Sequence, residues 1–217
     1  MHEAHPLETS GRTLDHAAAV YDVLSPLMTF GLERKYRKAA IQLLELAGSE
    51  AVLDVGCGTG TLTLEIASAL GRNGRAAGVD AAPKMIAVAE KKSRAAPNVG
   101  FSAALAENLP FPDESFDRAV STFFFHHVNY GLKVRSLNEM HRVLKPAGAA
   151  VIVDVDVPSN LWGRICAWSG FVLFQQDEIR ENIRGRLREA LAASAFDRWE
   201  QVSHHSGYIS IFKLWKQ

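Results

Sequence analysis

From Ala51 onward, short apolar runs alternate with longer amphipathic ones, a rhythm that predicts strand, helix and strand in repetition. AVLDV (51–55) reads as a strand, TLTLEIASAL (61–70) as a helix, GRAAGVD (74–80) as a strand and PKMIAVAEKKSRA (83–95) as a helix. VGFSAA (99–104) and FDRAVST (116–122) are further strands. LKVRSLNEMHRVLK (132–145) places Leu132, Leu137, Met140, Val143 and Leu144 at helical spacing, and GAAVIVDVDV (148–157) follows as a strand. REALAASAF (188–196) reads as a helix, and WEQVSHHSGYISIFKLWK (199–216) as two strands about a turn at Ser206-Gly207, a terminal hairpin antiparallel to the rest. Such alternation predicts an α/β fold with a mostly parallel sheet covered on both faces.

Two stretches stand outside the rhythm. Before it, AAAVYDVLSPLMTF (17–30) is helical but broken near Ser25-Pro26, and LERKYRKAAIQLLELAG (32–48) is a helix with Gly48 as its stop signal. These lead-in helices fill residues 1–48, ahead of a core over 49–217. Within that core, residues 158–182 do not fit and read as an insertion over one end of the sheet. Its apolar part, LWGRICAWSGFVLF (161–174), is shorter than the roughly 20 residues of a membrane span and carries Arg164.

Composition narrows the function. At 217 residues the chain can bury a core without metal or disulfide support. Lysines plus arginines equal aspartates plus glutamates at 24 each, so no overall field draws the chain to nucleic acid. Two cysteines, Cys57 and Cys166, are too few for a disulfide framework, and the N-terminus lacks the cationic start and apolar centre of a signal peptide. A cytoplasmic protein is expected.

The chemistry concentrates in VLDVGCGTG (52–60). Gly56, Gly58 and Gly60 follow a strand and open a helix, the turn at which open parallel sheets bind ligands. A phosphate loop would end in Gly-Lys-Ser or Gly-Lys-Thr, but Gly60 precedes Thr61-Leu62; a dinucleotide fingerprint would need glycine where Thr61 stands. Asp80 ends the second strand, where a carboxylate can accept two hydrogen bonds from a ribose diol, so it points to a nucleoside without saying which. Asp54 can orient the loop or meet a cationic amino group.

Four motifs in order, VLDVGCGTG, GVDAAPKMIAVAEKK (78–92), LPFPDESFDRAVS (109–121) and HRVLKPAG (141–148), resemble those of the class I S-adenosylmethionine-dependent methyltransferases over about residues 51–155. The resemblance implies a seven-stranded Rossmann-like sheet whose last strand is antiparallel, with S-adenosylmethionine as cofactor. It assigns the loop from Asp54 through Gly56, Cys57, Gly58, Thr59 and Gly60 to the methionine part and Asp80 with Ala81 to the ribose. Met85 or a neighbour goes to the adenine, with Ala106 and Glu107 at its edge and Ser121 at the end of the fourth strand. One position departs: where family members often carry Gly-Asp-Ala, this chain has Ala104-Leu105-Ala106, and Leu105 cannot bond the adenine amino group. That leaves open a non-catalytic subunit of the same fold.

AAAVYDVLSPLMTFGLERKYRK (17–38) is similar to the start of the ubiquinone and menaquinone C-methyltransferases, which implies roles for Tyr21 and for one of Arg34, Lys35 or Arg37 near cofactor or acceptor. STFFFHHVNYG (121–131) departs from that group and offers His126 and His127 as candidate bases, histidine being the side chain most often used to move protons. The expected substrate is a small or lipid-like acceptor, a quinone-precursor carbon or a phospholipid amine. Trp162, Trp168, Phe171 and Phe174 beside Arg164 either line its pocket, touch a bilayer surface or form a buried cap. Monomer and homodimer both remain open, and no metal is expected.

Overall fold

The computed structural model describes residues 31–217, without the side chains of residues 173 and 174. The reading of residues 17–30, and Tyr21 with it, lies outside the described residues. Helix α1 (Glu33–Leu43) leads into β1 (Ala51–Val55), α2 (Thr61–Ala69), β2 (Arg75–Asp80), α3 (Pro83–Ser93) and β3 (Val99–Ala103). Strand β4 (Phe116–Thr122) follows, then a 3-10 turn (Phe125–His127), α4 (Tyr130–Val143) and β5 (Leu144–Val155). Helices α5 (Leu161–Phe174), α6 (Asp177–Ile183) and α7 (Arg186–Ala193) precede β6 (Arg198–His205) and β7 (Ile209–Trp215).

The seven strands lie in the order β3-β2-β1-β4-β5-β7-β6. Pairings through β5 are parallel, and β7 runs against both β5 and β6. This corrects the expectation for the hairpin: only β7 is antiparallel to the rest, because β6 at the edge turns back to the direction of β5. The turn itself is as read. Ser206 and Gly207 both take positive φ (53° and 75°), and Tyr208 N–H closes on the His205 carbonyl at 3.1 Å. That geometry matches the right-handed twist of the flanking strands.

Every residue of β1 is buried, as a strand covered on both faces must be. Its side chains divide by parity: Ala51, Leu53 and Val55 join a core with α4 and α7, while Val52 joins the opposite core with α1 and α2. Strand β5 divides the same way, Ala150 and Ile152 against Val151, Val153 and Val155. Two boundaries differ from the sequence reading. Helix α1 stops at Leu43, and Glu45 (φ 52°) rather than Gly48 takes the left-handed turn behind it; β5 starts at Leu144, directly after α4. The irregular segment 158–182 forms α5 and α6. The start of α5 rests on the hairpin turn, where Ser159 N–H donates to the Gly207 carbonyl at 2.9 Å. Gly163 comes so close that a Cβ there would stand 2.0 Å from that carbonyl oxygen.

Candidate active site

Strand order reverses between β1 and β4, and the residues expected to bind a ligand meet at that crevice, past the carboxyl ends of β1 to β4. The glycine loop is pinned to β2 twice. Gly56 and Cys57 N–H groups both donate to the Val79 carbonyl at 2.9 Å, and Gly58 N–H donates to Asp80 Oδ2 at 2.9 Å. Asp80 Oδ1 accepts from Ala82 N–H at 2.8 Å, so backbone on both sides sets the plane of its carboxylate. All three glycines have positive φ, for different reasons. A Cβ on Gly56 would lie 2.7 Å from the Phe124 ring and one on Gly60 2.5 Å from Phe101, whereas one on Gly58 would meet none of the described residues within 4 Å. Gly58 is thus the flank of the loop left open for a ligand.

Asp54, two residues before Gly56, is 1% exposed. Thr63 Oγ1 donates to its Oδ2 at 2.6 Å, and its Oδ1 has no partner among the described residues. Burial raises the carboxyl to about 7, and the Asp80 charge adds to the rise while the Thr63 bonds oppose it. At the end of β4, on the other face of the sheet, the hydroxyl of Ser121 is buried and has no partner among the described residues. Unsatisfied buried polar atoms are costly, so the Asp54 oxygen marks a place built for a polar guest. Cys57 is no nucleophile: burial first, then the Asp54 and Asp80 charges, push its thiol well above its ordinary value. Thr59 is buried with Lys92 Nζ 3.3 Å from its hydroxyl. Met85 packs with Ala82 and Val88 beyond Asp80, Ala81 is half-buried beside them, and Ala106 is buried. Glu107 is half-buried; Leu105 forms a bridge with Asn108.

Past β4 the three phenylalanines separate. Phe123 has a positive φ of 54°, strained for a bulky residue, and leans on the α1 face of the sheet; Phe124 closes over Gly56 and Phe125 is core. The turn this creates delivers His126 to Asp154 on β5, Nδ1 to Oδ1 at 2.7 Å. Asp154 is fully buried and also accepts from Phe125 N–H on Oδ2 and Val155 N–H on Oδ1, both at 2.7 Å. His127 lies against His126 with ring centroids 4.0 Å apart and the planes tilted by 43°, and places Nδ1 3.0 Å from Gln176 Oε1. Lys133, fully buried on α4, donates to the Val128 carbonyl and pairs with Glu181 of α6 at 3.3 Å; burial pulls its pKa down against the opposing pull of Glu181.

Of the basic lead-in residues, Arg37 is taken up by Glu33 at 2.7 Å and Glu65 at 3.1 Å, while Arg34 and Lys35 are exposed. Sequence reasoning passed over Tyr36, which is buried with its hydroxyl 2.8 Å from Ser206 Oγ and its ring edge-on to Phe123. Burial raises its pKa, with the Ser206 bond opposing. It also passed over Asp154 and Asp156. Two acids spaced to share one face at the end of a strand were the available signal. Asp156, equally buried, is held by Arg188 and by the Ser210 hydroxyl at 2.5 Å. The buried-cap reading of α5 is corrected: Leu161, Trp162, Ile165 and Val172 are mostly exposed, because Gly163 and Ala167 are the positions turned to the protein.

A methyltransferase domain family matches residues 52–148. The ubiquinone/menaquinone biosynthesis C-methyltransferase UbiE of Geobacter sp. (strain M21) is 37% identical over 142 residues, 64% of this chain and 60% of that protein. The SAM dependent methyltransferase from Aquifex aeolicus superposes with a TM-score of 0.68 over 95% of this chain and 100% of that one, at 20% identity. The chain thus carries a methyltransferase domain over residues 52–148 and is similar in sequence and in fold to the class I S-adenosylmethionine-dependent methyltransferases. The 2-phytyl-1,4-naphtoquinone methyltransferase of Nostoc sp. (strain PCC 7120 / SAG 25.82 / UTEX 2576) is 34% identical over 67% of this chain and 64% of that protein. The chain spans about 60% of the length of the curated relatives it matches. S-adenosylmethionine, the cofactor of this class, carries an ammonium group and a ribose diol. The unpaired Oδ1 of Asp54, the open flank at Gly58 and the oriented carboxylate of Asp80 fit those groups.

Proposed function

We propose that this chain transfers a methyl group from S-adenosylmethionine to a ring carbon of a quinone-type, lipid-like acceptor. The observation that carries the reading is the unpaired buried Oδ1 of Asp54 beside an open glycine loop, in a chain similar to quinone C-methyltransferases. When bound, the cofactor supplies an electrophilic methyl on a cationic sulfur. Asp54 meets its ammonium group, the Gly56–Gly60 backbone follows its methionine part, and Asp80 with Ala81 takes the ribose hydroxyls. Met85, Ala106 and Glu107 bound the adenine, and Ser121 closes the floor. Displacement at a sulfonium needs alignment and dryness more than covalent help, which an apolar enclosure supplies. A ring carbon becomes nucleophilic enough only when its hydroxyl gives up a proton, so a base among His126 and His127 belongs to this chemistry.

Helix α5 fits a lipid-like acceptor. Leu161, Ile165, Trp168 and Val172 recur at helical spacing on one exposed face, with Trp162 beside them. Among the described residues no helix is long and apolar enough to cross a membrane. The stripe is therefore read as lying on a lipid surface, with tryptophans at the water boundary. The free thiols of Cys57 and Cys166 support a reducing, cytoplasmic setting.

The test is incubation with carbon-13-labelled methyl donor and a chemically reduced 2-prenyl-1,4-naphthoquinone. Label on the unsubstituted quinol-ring carbon supports the reading. Label appearing only on the nitrogen of phosphatidylethanolamine vesicles, or donor binding with no label on either acceptor, overturns it.

A further inference from the structure

We infer that Asp154 is a positioning residue that fixes the tautomer of His126, so that His126 Nε2 receives the acceptor's hydroxyl proton. The inference rests on the proposed methyl transfer to a hydroxylated ring and names the base within it. Its ground is the set of partners around one buried carboxylate. Asp154 Oδ2 faces the Phe125 N–H; Oδ1 faces the Val155 N–H at 2.7 Å and the Asn182 side-chain amide at 3.5 Å. Asn182 is itself oriented, since its Nδ2 donates to the Val155 carbonyl at 3.1 Å. Each of these groups is a donor, with nothing to accept from a protonated carboxyl. His126 Nδ1, 2.7 Å from Oδ1, completes the set as a further donor. A neutral imidazole with its proton on Nδ1 presents a lone pair on Nε2.

His127 is set up differently. Its Nδ1 faces a neutral amide oxygen, Gln176 Oε1, and its ring is tilted by 43° against that of His126 at 4.0 Å. The imidazolium formed on His126 stands against a carboxylate buried completely. A preorganised charge in a dry site stabilises a developing opposite charge without reorganising. Asn182 and Gln176 both come from the segment over the sheet, so α6 and its N-cap hold the base and its neighbour in place.

In the step so described, the acceptor hydroxyl proton passes to Nε2 and the oxygen's electron pair moves into the ring. The ring carbon forms its bond to the methyl carbon as the sulfur–methyl bond breaks, leaving that electron pair on sulfur. The hydrogen displaced from the ring carbon leaves as a proton and the oxygen regains one. Return of His126 to neutrality completes a net release of one proton.

The direct test needs no acceptor. Nitrogen-15 spectra of the full-length protein labelled at histidine, with His126 assigned by its loss in His126→Gln, should show the Nδ1-protonated tautomer; the Nε2-protonated tautomer overturns the inference. In turnover of the reduced 2-prenyl-1,4-naphthoquinone, Asp154→Asn should lower kcat about 100-fold, the usual scale for a general base. KM and donor affinity should stay within about twofold. Added to His126→Gln, the same substitution should cost nothing further; losses that multiply would mean that Asp154 acts through the fold and not through His126. Should the wild-type protein not turn over this quinol, the acceptor reading fails while the tautomer measurement still decides the role of Asp154.

Discussion

At the ends of β1 and β2 the site is made of backbone: glycines with positive φ, three amides pinned to Val79 and Asp80, and one open flank at Gly58. Past β4 and β5 it is made of side chains that arrive from separate places, His126 from a 3-10 turn, Asp154 from β5, Gln176 and Asn182 from the edges of α6, Tyr36 from α1. Backbone recognition of a fixed cofactor leaves few residues acceptable at each position. Convergent side chains can be exchanged as the acceptor changes, so the second region carries specificity and the first carries membership of the class.

The contrast can be sharpened through Asp54. Burial raises its carboxyl to about 7, so at pH 6 the folded free protein holds a proton there that an ammonium guest must expel. Donor affinity should then climb by up to about tenfold per pH unit from pH 5 to 7 and level off above. Calorimetry in buffers of different ionisation heat should count nearly one proton released at pH 6. Stability carries the opposite sign. A carboxyl raised above its unfolded value contributes fully below the ordinary value of 3.8, and the contribution is lost as pH rises through about 7. Asp54→Asn should remove both slopes, binding the donor more weakly at pH 8 yet melting higher than the wild-type protein there. An unchanged pH dependence of binding would take Asp54 out of the site.

A smaller effect probes the outer edge of the acceptor region. Replacing Leu161 and Ile165 together by glutamate should weaken sedimentation with quinone-loaded vesicles by about tenfold, the scale of two exposed aliphatic side chains leaving lipid. Turnover of a short-tailed quinol in solution should be unaffected. Unchanged vesicle binding with a shift from dimer to monomer would assign the stripe to a second copy of the chain instead.

What could be read in the sequence follows the same divide. AVLDV, GRAAGVD and FDRAVST were legible as strands because each has a short buried apolar centre, and the Ser206-Gly207 turn because few residues accept two positive φ values in succession. The direction of β6 was not, since it depends on β7 inserting between it and β5. His126 could be singled out by residue type, but its partner could not. The pairing of Ser121 with Ile152 and Thr122 with Val153 sets which acid of the VDVDV stretch reaches it, and that register exists only in the folded sheet. The α5 face escaped for another reason. Its composition is the same whether it is buried or exposed, and only the contact of Gly163 with Gly207 shows which side is turned inward.

The most direct measurement of the division between the two regions is calorimetric titration of S-adenosylmethionine into Asp80→Ala and His126→Ala, side by side with the wild-type protein. Asp80→Ala should bind about 100-fold more weakly or not at all, because it strands two ribose hydroxyls and releases the Gly58 and Ala82 amides, while His126→Ala should bind as the wild-type protein does. Equal loss in both variants, or full binding in both, would contradict the account.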